Sequence, residues 1–242
     1  MIRTLKVIGV FALALALMGG CGDGGFLIST QDEIEIGQKV DRQLVQEHGL
    51  SRDSRATARV QRIGAAMAQQ ARRANIPYQF RLLASDQVNA FAAPGGFVYL
   101  TEGTVNFIGA DDDALACVTA HEIGHIDQRH SVENLERRLG AQMLVQILVG
   151  GEKGQDIAST AAGLVMLQYS RDDELEADRI GVTYAARGGY DPWGMVRFFE
   201  KLREKEGKGP SHLETYFRTH PRTQDRINRI TAYIRKHEGS GQ

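Results

Sequence analysis

His121 and His125 stand four residues apart in the run His121-Glu122-Ile123-Gly124-His125. On a helix turning about 100° per residue they project from nearly the same face. Two imidazoles so placed form a chelating pair that holds a zinc ion at roughly 2.0–2.1 Å, with Glu122 beside them able to reach a water on the open side of the metal. Zinc lowers the pKa of bound water to about 7, the glutamate takes its proton, and the hydroxide attacks a polarised peptide carbonyl. Ala114, Leu115, Val118 and Ile123 make the surrounding segment amphipathic, which predicts a packed helix and not a solvated loop.

A third ligand must come from elsewhere. The extended form of the motif that adds a glycine and a histidine downstream is excluded, because Gln128 and Ser131 hold those positions. His130 reads as a surface residue, since five places after His125 it faces about 140° away on a continuous helix. A carboxylate from Ser170-Arg171-Asp172-Asp173-Glu174-Leu175-Glu176-Ala177-Asp178-Arg179, on a further predicted helix, could complete a two-histidine, one-glutamate site.

With these residues the sequence resembles the M48 family of metallopeptidases, and among its members the short periplasmic lipoproteins. That family pairs a helix bearing HExxH with one bearing ExxxD, a pattern met here by Glu174 and Asp178. The resemblance implies Glu174 as third ligand of a single Zn2+ per chain. It makes Asp178 a support that orients a ligand histidine, or a proton donor. Glu176, the rival ligand, points about 160° away from Glu174, so only one of them can face the metal. The run Asn89-Ala90-Phe91-Ala92-Ala93-Pro94-Gly95-Gly96 resembles the family's NAFxxPGG element. Asn89, Ala90, Phe91, Gly95 and Gly96 are accordingly expected to bind substrate as an added strand, compatibly with a plain Pro-Gly-Gly turn. Thr219-His220-Pro221 resembles the C-terminal His-Pro element, which implies His220 near the zinc. There it would stabilise an oxyanion or occupy the open coordination position and hold the enzyme latent. Arg226 would assist that chemistry or form a surface salt bridge.

The elements that must position these groups follow from periodicity. Apolar residues at helical spacing predict helices over Gln31–Glu47 and Asp53–Ala74, and β-rich runs cover Tyr78–Leu83, Val88–Ala92 and Phe97–Thr101. Helices are then predicted over Asp112–Arg129, Val132–Val149, Asp156–Tyr169, Arg171–Arg187, Pro192–Glu206 and Thr223–His237. Asp111-Asp112-Asp113 suits a helix start. The expected fold is α+β, mainly α: a zincin-like metallopeptidase domain whose HExxH and ExxxD helices pack beside a small sheet. The stretch Leu139–Met166, carrying Gly150, Gly151 and Gly154, is a candidate mobile cover over the cleft. His48, His212 and His237 read as solvated, and Trp193 as a packing residue at a helix start.

The chain of 242 residues is 42% hydrophobic and 24% charged, the balance of an ordinary folded protein, and its net charge of -1 gives no footprint for nucleic acid. At the N-terminus Arg3 and Lys6 precede an apolar run from Val7 to Leu17, too short to span a bilayer, followed by Met18-Gly19-Gly20-Cys21. This resembles a bacterial lipoprotein signal, so the expected division is 1–20 signal peptide, 21–30 lipidated Cys21 and tether, 31–238 one metallopeptidase domain, and 239–242 tail. Cys117, if Cys21 carries lipid, is a buried thiol; otherwise the two cysteines could pair. Gly22 gives no aspartate-type signal for retention at the inner membrane. The expected protein is then a periplasmic zinc endopeptidase anchored by lipid to the envelope, in the outer membrane. It would cleave misfolded or misassembled envelope polypeptides, with an envelope chaperone or client-binding protein of latent protease activity as the alternative.

Overall fold

A computed structural model describes residues 28–149, 162–163, 166, 168–205, 213–220 and 224–238. The chain enters through α1 (Thr30–His48), started by a capping box in which Ser29 and Asp32 satisfy each other's backbone amides. Helix α2 (Ser54–Ala68) begins at Asp53, whose carboxylate accepts from the amide of Ala56. Each buries the stripe its sequence announces: Ile36, Val40 and Leu44 on α1, and Val60, Ile63 and Met67 on α2.

Three strands follow, in the order β1-β3-β2. Central β3 (Phe97–Thr101) lies parallel to β1 (Gln79–Leu83) and antiparallel to β2 (Ala90–Ala93), with Phe91 opposite Tyr99. Pro94–Gly96 forms the single 3-10 turn that joins β2 to β3. Both faces of the sheet are buried. Ala90, Ala92, Val98 and Leu100 point into a core shared with α2, while Phe91, Ala93, Phe97 and Tyr99 point into one shared with α1.

Helix α3 (Glu102–Ile108), capped by Thr101, is too short to show a period in sequence. Helix α4 (Asp112–Asp127) starts at Asp111 and is buried from Ala114 to its end. It stops two residues earlier than periodicity suggests, because Arg129 takes a left-handed conformation with φ 62°. Helix α5 (His130–Val149) is kinked at Gly140. Then come α6 (Arg171–Arg187) with its Ser170–Asp173 capping box, α7 (Trp193–Lys205), the unforeseen short α8 (Glu214–Thr219), and α9 (Gln224–Glu238). Most of the helix expected over Asp156–Tyr169, with the glycines of the proposed cover, lies outside the described residues, as does Cys21. Cys117 is a buried thiol, pushed upward in pKa by that burial. Trp193 is half-buried against the main core. Among the described residues no helix is long and apolar enough to cross a membrane.

The broadest contact of α4 is with α6. Two glycines make the crossing close: a Cβ on Gly181 would come 3.0 Å from the backbone N of His121, and one on Gly124 would come 3.2 Å from Ala177 Cα. That proximity lets side chains on both helices meet at one point.

Candidate metal centre

From α4, His121, Glu122 and His125 converge with Glu174 and Asp178 of α6, and His220 joins them from the residue that ends α8. One ligand atom each from His121, His125, Glu174 and His220 lie within 4.8 Å of one another, and all four residues are buried. The Nε2 atoms of His121 and His125 are 3.1 Å apart, and Glu174 oxygens lie 3.5 Å from His125 Nε2 and 3.9 Å from His121 Nε2. Ligands at 2.0–2.1 Å in a tetrahedron would stand roughly 3.3 Å apart. The spacing and the nitrogen and carboxylate donors therefore fit a zinc ion held by His121, His125 and Glu174.

Behind these groups stands a second layer of charge. Asp178 Oδ1 is 3.0 Å from His121 Nδ1. Arg226 of α9 grips Asp178 through Nε at 2.8 Å and Nη2 at 2.6 Å, reaches Glu174 with Nη1 at 2.5 Å, and lies over the Phe199 ring. Arg226 is thus a buried structural charge, and the surface salt bridge considered for it is not what forms. Burial alone would raise the Glu174 and Asp178 carboxyls. The charges of His220 and Arg226 instead hold Glu174 well below the ordinary range, and Arg226 holds Asp178 below it. Glu122 has no such guanidinium clamp, and burial pushes its carboxyl up. Its Oε2 has no hydrogen-bond partner among the described residues, while Oε1 lies 3.6 Å from His220 Nε2.

His220 faces two acceptors. Nδ1 is 3.0 Å from Glu174 Oε1, and Nε2 donates to the carbonyl of Ala90 at 2.9 Å. Burial would depress its basicity, but Glu174 and Glu122 raise it to about 9. The Ala90 carbonyl lies on the edge of the sheet, because among the described residues β2 is paired only with β3. The next outward carbonyl, Ala92, has Ser131 Oγ at 3.3 Å and the Tyr169 hydroxyl at 3.4 Å.

Most of the expected site is assembled here, and part is not. Asn89 is buried at the margin, its Oδ1 accepting from Thr219 Oγ1 beside His220. Phe91 stacks on Tyr99 at 4.8 Å, on the sheet face turned toward α1. Gly95, at φ 74°, donates its amide to Glu33, and a Cβ there would meet Ile34 Cα at 2.6 Å; one on Gly96, at φ 98°, would meet Ile76 Cγ2 at 2.4 Å. Phe91, Gly95 and Gly96 are therefore packing residues in this conformation, because alternation along the strand and the turn direct them into α1 and Ile76. Glu176 points outward to Gln128. His130 overturns its surface reading. Only 6% exposed, it places Nδ1 2.9 Å from His125 Nδ1, because α4 ends before it and the helical angle does not carry through the turn. Tyr169, stacked on His125 at 3.8 Å and 12°, was also missed; its position depends on a chain path that spacing does not encode.

A buried HExxH helix crossed by a glutamate-bearing helix beside a three-stranded sheet defines a zincin-like metallopeptidase domain. The chain belongs to peptidase family M48, whose sequence model matches residues 54–234. It is 30% identical over 215 residues to the beta-barrel assembly-enhancing protease of Escherichia coli (strain K12), covering 84% of this chain and 44% of that one. The protein of that name from Yersinia pestis is 30% identical over 220 residues, covering 85% and 45%. The mitochondrial metalloendopeptidase OMA1 of Arabidopsis thaliana is 35% identical over 135 residues, covering 55% and 27%. The chain spans less than half the length of these relatives.

Proposed function

We propose that this protein is a zinc-dependent endopeptidase of the bacterial envelope that cleaves misfolded or misassembled polypeptides. The observation that carries the reading is Glu122: buried, raised in pKa, and with one oxygen unpartnered among the described residues, beside three groups that fit zinc. Zinc held by His121, His125 and Glu174 would polarise a peptide carbonyl and acidify a water. Glu122, as general base, takes a proton from the attacking water, and its raised pKa suits it to return that proton to the leaving amine. Asp178 holds the Nδ1 side of His121, and Arg226 keeps Asp178 and Glu174 ionised. The names of the bacterial relatives support an envelope setting and a role in barrel-protein assembly. The N-terminal sequence supports lipidation at Cys21, periplasmic placement in the outer membrane, and the division into signal, tether and one catalytic domain.

A second feature of this reading concerns the resting state. Both His220 nitrogens are engaged, one at Glu174 and one at the Ala90 carbonyl on the sheet edge where a substrate strand would add. His220 is then a latch whose release opens the edge, and any role as oxyanion donor follows that release. The chaperone alternative would need no base beside the metal ligands. Glu122→Gln, compared with wild type on an unfolded protein with zinc content measured for both, is the test. The expected loss is on the order of 10²–10⁴ in turnover with zinc retained; equal cleavage by both proteins would defeat the mechanism.

A further inference from the structure

The two ligand histidines of α4 are held from behind by different chemistry. His121 has the Asp178 carboxylate at its Nδ1, the support the ExxxD pattern implies. His125 has another imidazole at its Nδ1, that of His130, at 2.9 Å. We infer that His130 is a positioning residue for the metal site: it accepts a hydrogen bond from His125 Nδ1–H and so sets the rotation and tautomer of that ligand. The inference rests on the zinc reading of the site.

The proton assignment follows from the geometry. His125 Nε2 faces His121 Nε2 and Glu174, so its lone pair is the one offered to a metal and the ring proton must sit on Nδ1. A proton on Nδ1 needs an acceptor, and His130 Nδ1 serves only if the His130 proton is on Nε2. That nitrogen points toward acceptors: Glu176 Oε2 at 3.6 Å and Asp173 Oδ1 at 3.8 Å. His130 is neutral when it accepts this bond, because an imidazolium carries a proton on both nitrogens and has no lone pair to offer at Nδ1.

His130 reaches its place through a local conformation that costs free energy. Arg129 adopts φ 62°, the left-handed region that a side-chain-bearing residue enters only against a steric penalty. It is secured by Nη2 donating to the Ile28 carbonyl at 2.6 Å and by Nε at 3.4 Å from Glu33. The turn ends α4 and starts α5 with His130 aimed back at His125. Tyr169 completes the cradle by stacking on the flat face of the His125 ring, fixing its tilt while His130 fixes its spin.

The test measures zinc affinity by chelator competition for wild type, His130→Ala and His130→Asn, whose amide oxygen can take the place of Nδ1. His130→Ala is expected to weaken zinc binding about 10–100-fold, and His130→Asn to restore most of the loss. Unchanged affinity in His130→Ala would overturn the inference, and so would a His130→Asn as weak as His130→Ala, which would reduce the residue to packing. Long-range 15N–1H NMR of zinc-loaded wild type decides independently of whether the variants fold. It should show His125 protonated on Nδ1 and His130 neutral with its proton on Nε2; a His130 proton on Nδ1 refutes the hydrogen bond. A wild type that takes up no zinc at all would defeat the metal reading itself, a distinguishable failure.

Discussion

The metal site has two halves built on different principles. One is a clamp of two long helices, α4 and α6, crossing at Gly124 and Gly181 with Arg226 locking the charges behind them. The other is a cap made of element ends: His220 where α8 stops, Tyr169 just before α6, and Ser131 at the start of α5, all turned toward the carbonyls of Ala90 and Ala92. Regular helices set the spacing of the candidate ligands through backbone hydrogen bonds along their length. Segment ends can leave a strand edge at the cost of a few hydrogen bonds, each worth about 1 kcal/mol net. The clamp is suited to binding metal and the cap to admitting substrate.

The harshest way to break the clamp without touching a ligand is Arg226→Met. It leaves Asp178 without its principal counter-charge and Glu174 with only that of His220, and breaking such a buried cluster costs about 3–5 kcal/mol. Urea unfolding of the metal-free protein should show that loss. A midpoint unchanged from wild type would mean that Arg226 does not lock the charges behind the clamp. The cap is probed by His220→Ala, which should raise cleavage of a short peptide several-fold while zinc content changes little; a large fall in turnover would instead assign His220 to oxyanion stabilisation.

The same comparison predicts a pH dependence. His220 has its pKa raised in the fold from 6.5 to about 9, so its folded-state contribution is fully present below pH 6.5 and is lost as pH rises through 9. In the metal-free protein this should remove on the order of 2–3 kcal/mol across that window. His220→Gln should flatten the fall in unfolding midpoint between pH 6.5 and 9. A wild-type curve already flat there would show that the cap holds no net charge interaction.

The clamp was legible in the sequence and the cap only partly so, for a physical reason. His121 and His125 are related by helical periodicity, which spacing reports directly, whereas spacing alone leaves Glu174 and Glu176 as rivals, and the resemblance to the ExxxD pattern is what selects Glu174 and Asp178. The stripes on α1 and α2 and the three strands were readable from apolar periods of 3.6 and 2. His130 was misread because the angular argument assumed an unbroken helix, whereas Arg129 turns the chain. Helices α3 and α8 are too short to display a period, and so the element that delivers His220 was not foreseen. Alternation within β2 would have sent Ala90 and Phe91 to opposite faces, but choosing the face toward the metal requires knowing where α4 packs.

The smallest effect expected on stability is also the most direct test of how the clamp is made. In Gly181→Ala the three atoms nearest the new methyl would all be backbone: His121 N at 3.0 Å, His121 Cα at 3.1 Å and Cys117 O at 3.2 Å. None of these can rotate away, so α6 must shift by a few tenths of an ångström, an overpacking cost of about 1–2 kcal/mol. Alanine recovers up to about 1 kcal/mol of helix propensity, so the unfolding midpoint should fall only slightly. The shift carries Glu174 and Asp178 with it, relative to His121 and His125. Zinc affinity should therefore drop by more than stability does, and chelator competition alongside thermal unfolding separates the two. If affinity and midpoint fell together, the glycine would serve packing alone, and the fixed separation of the two helices would not be what tunes the site.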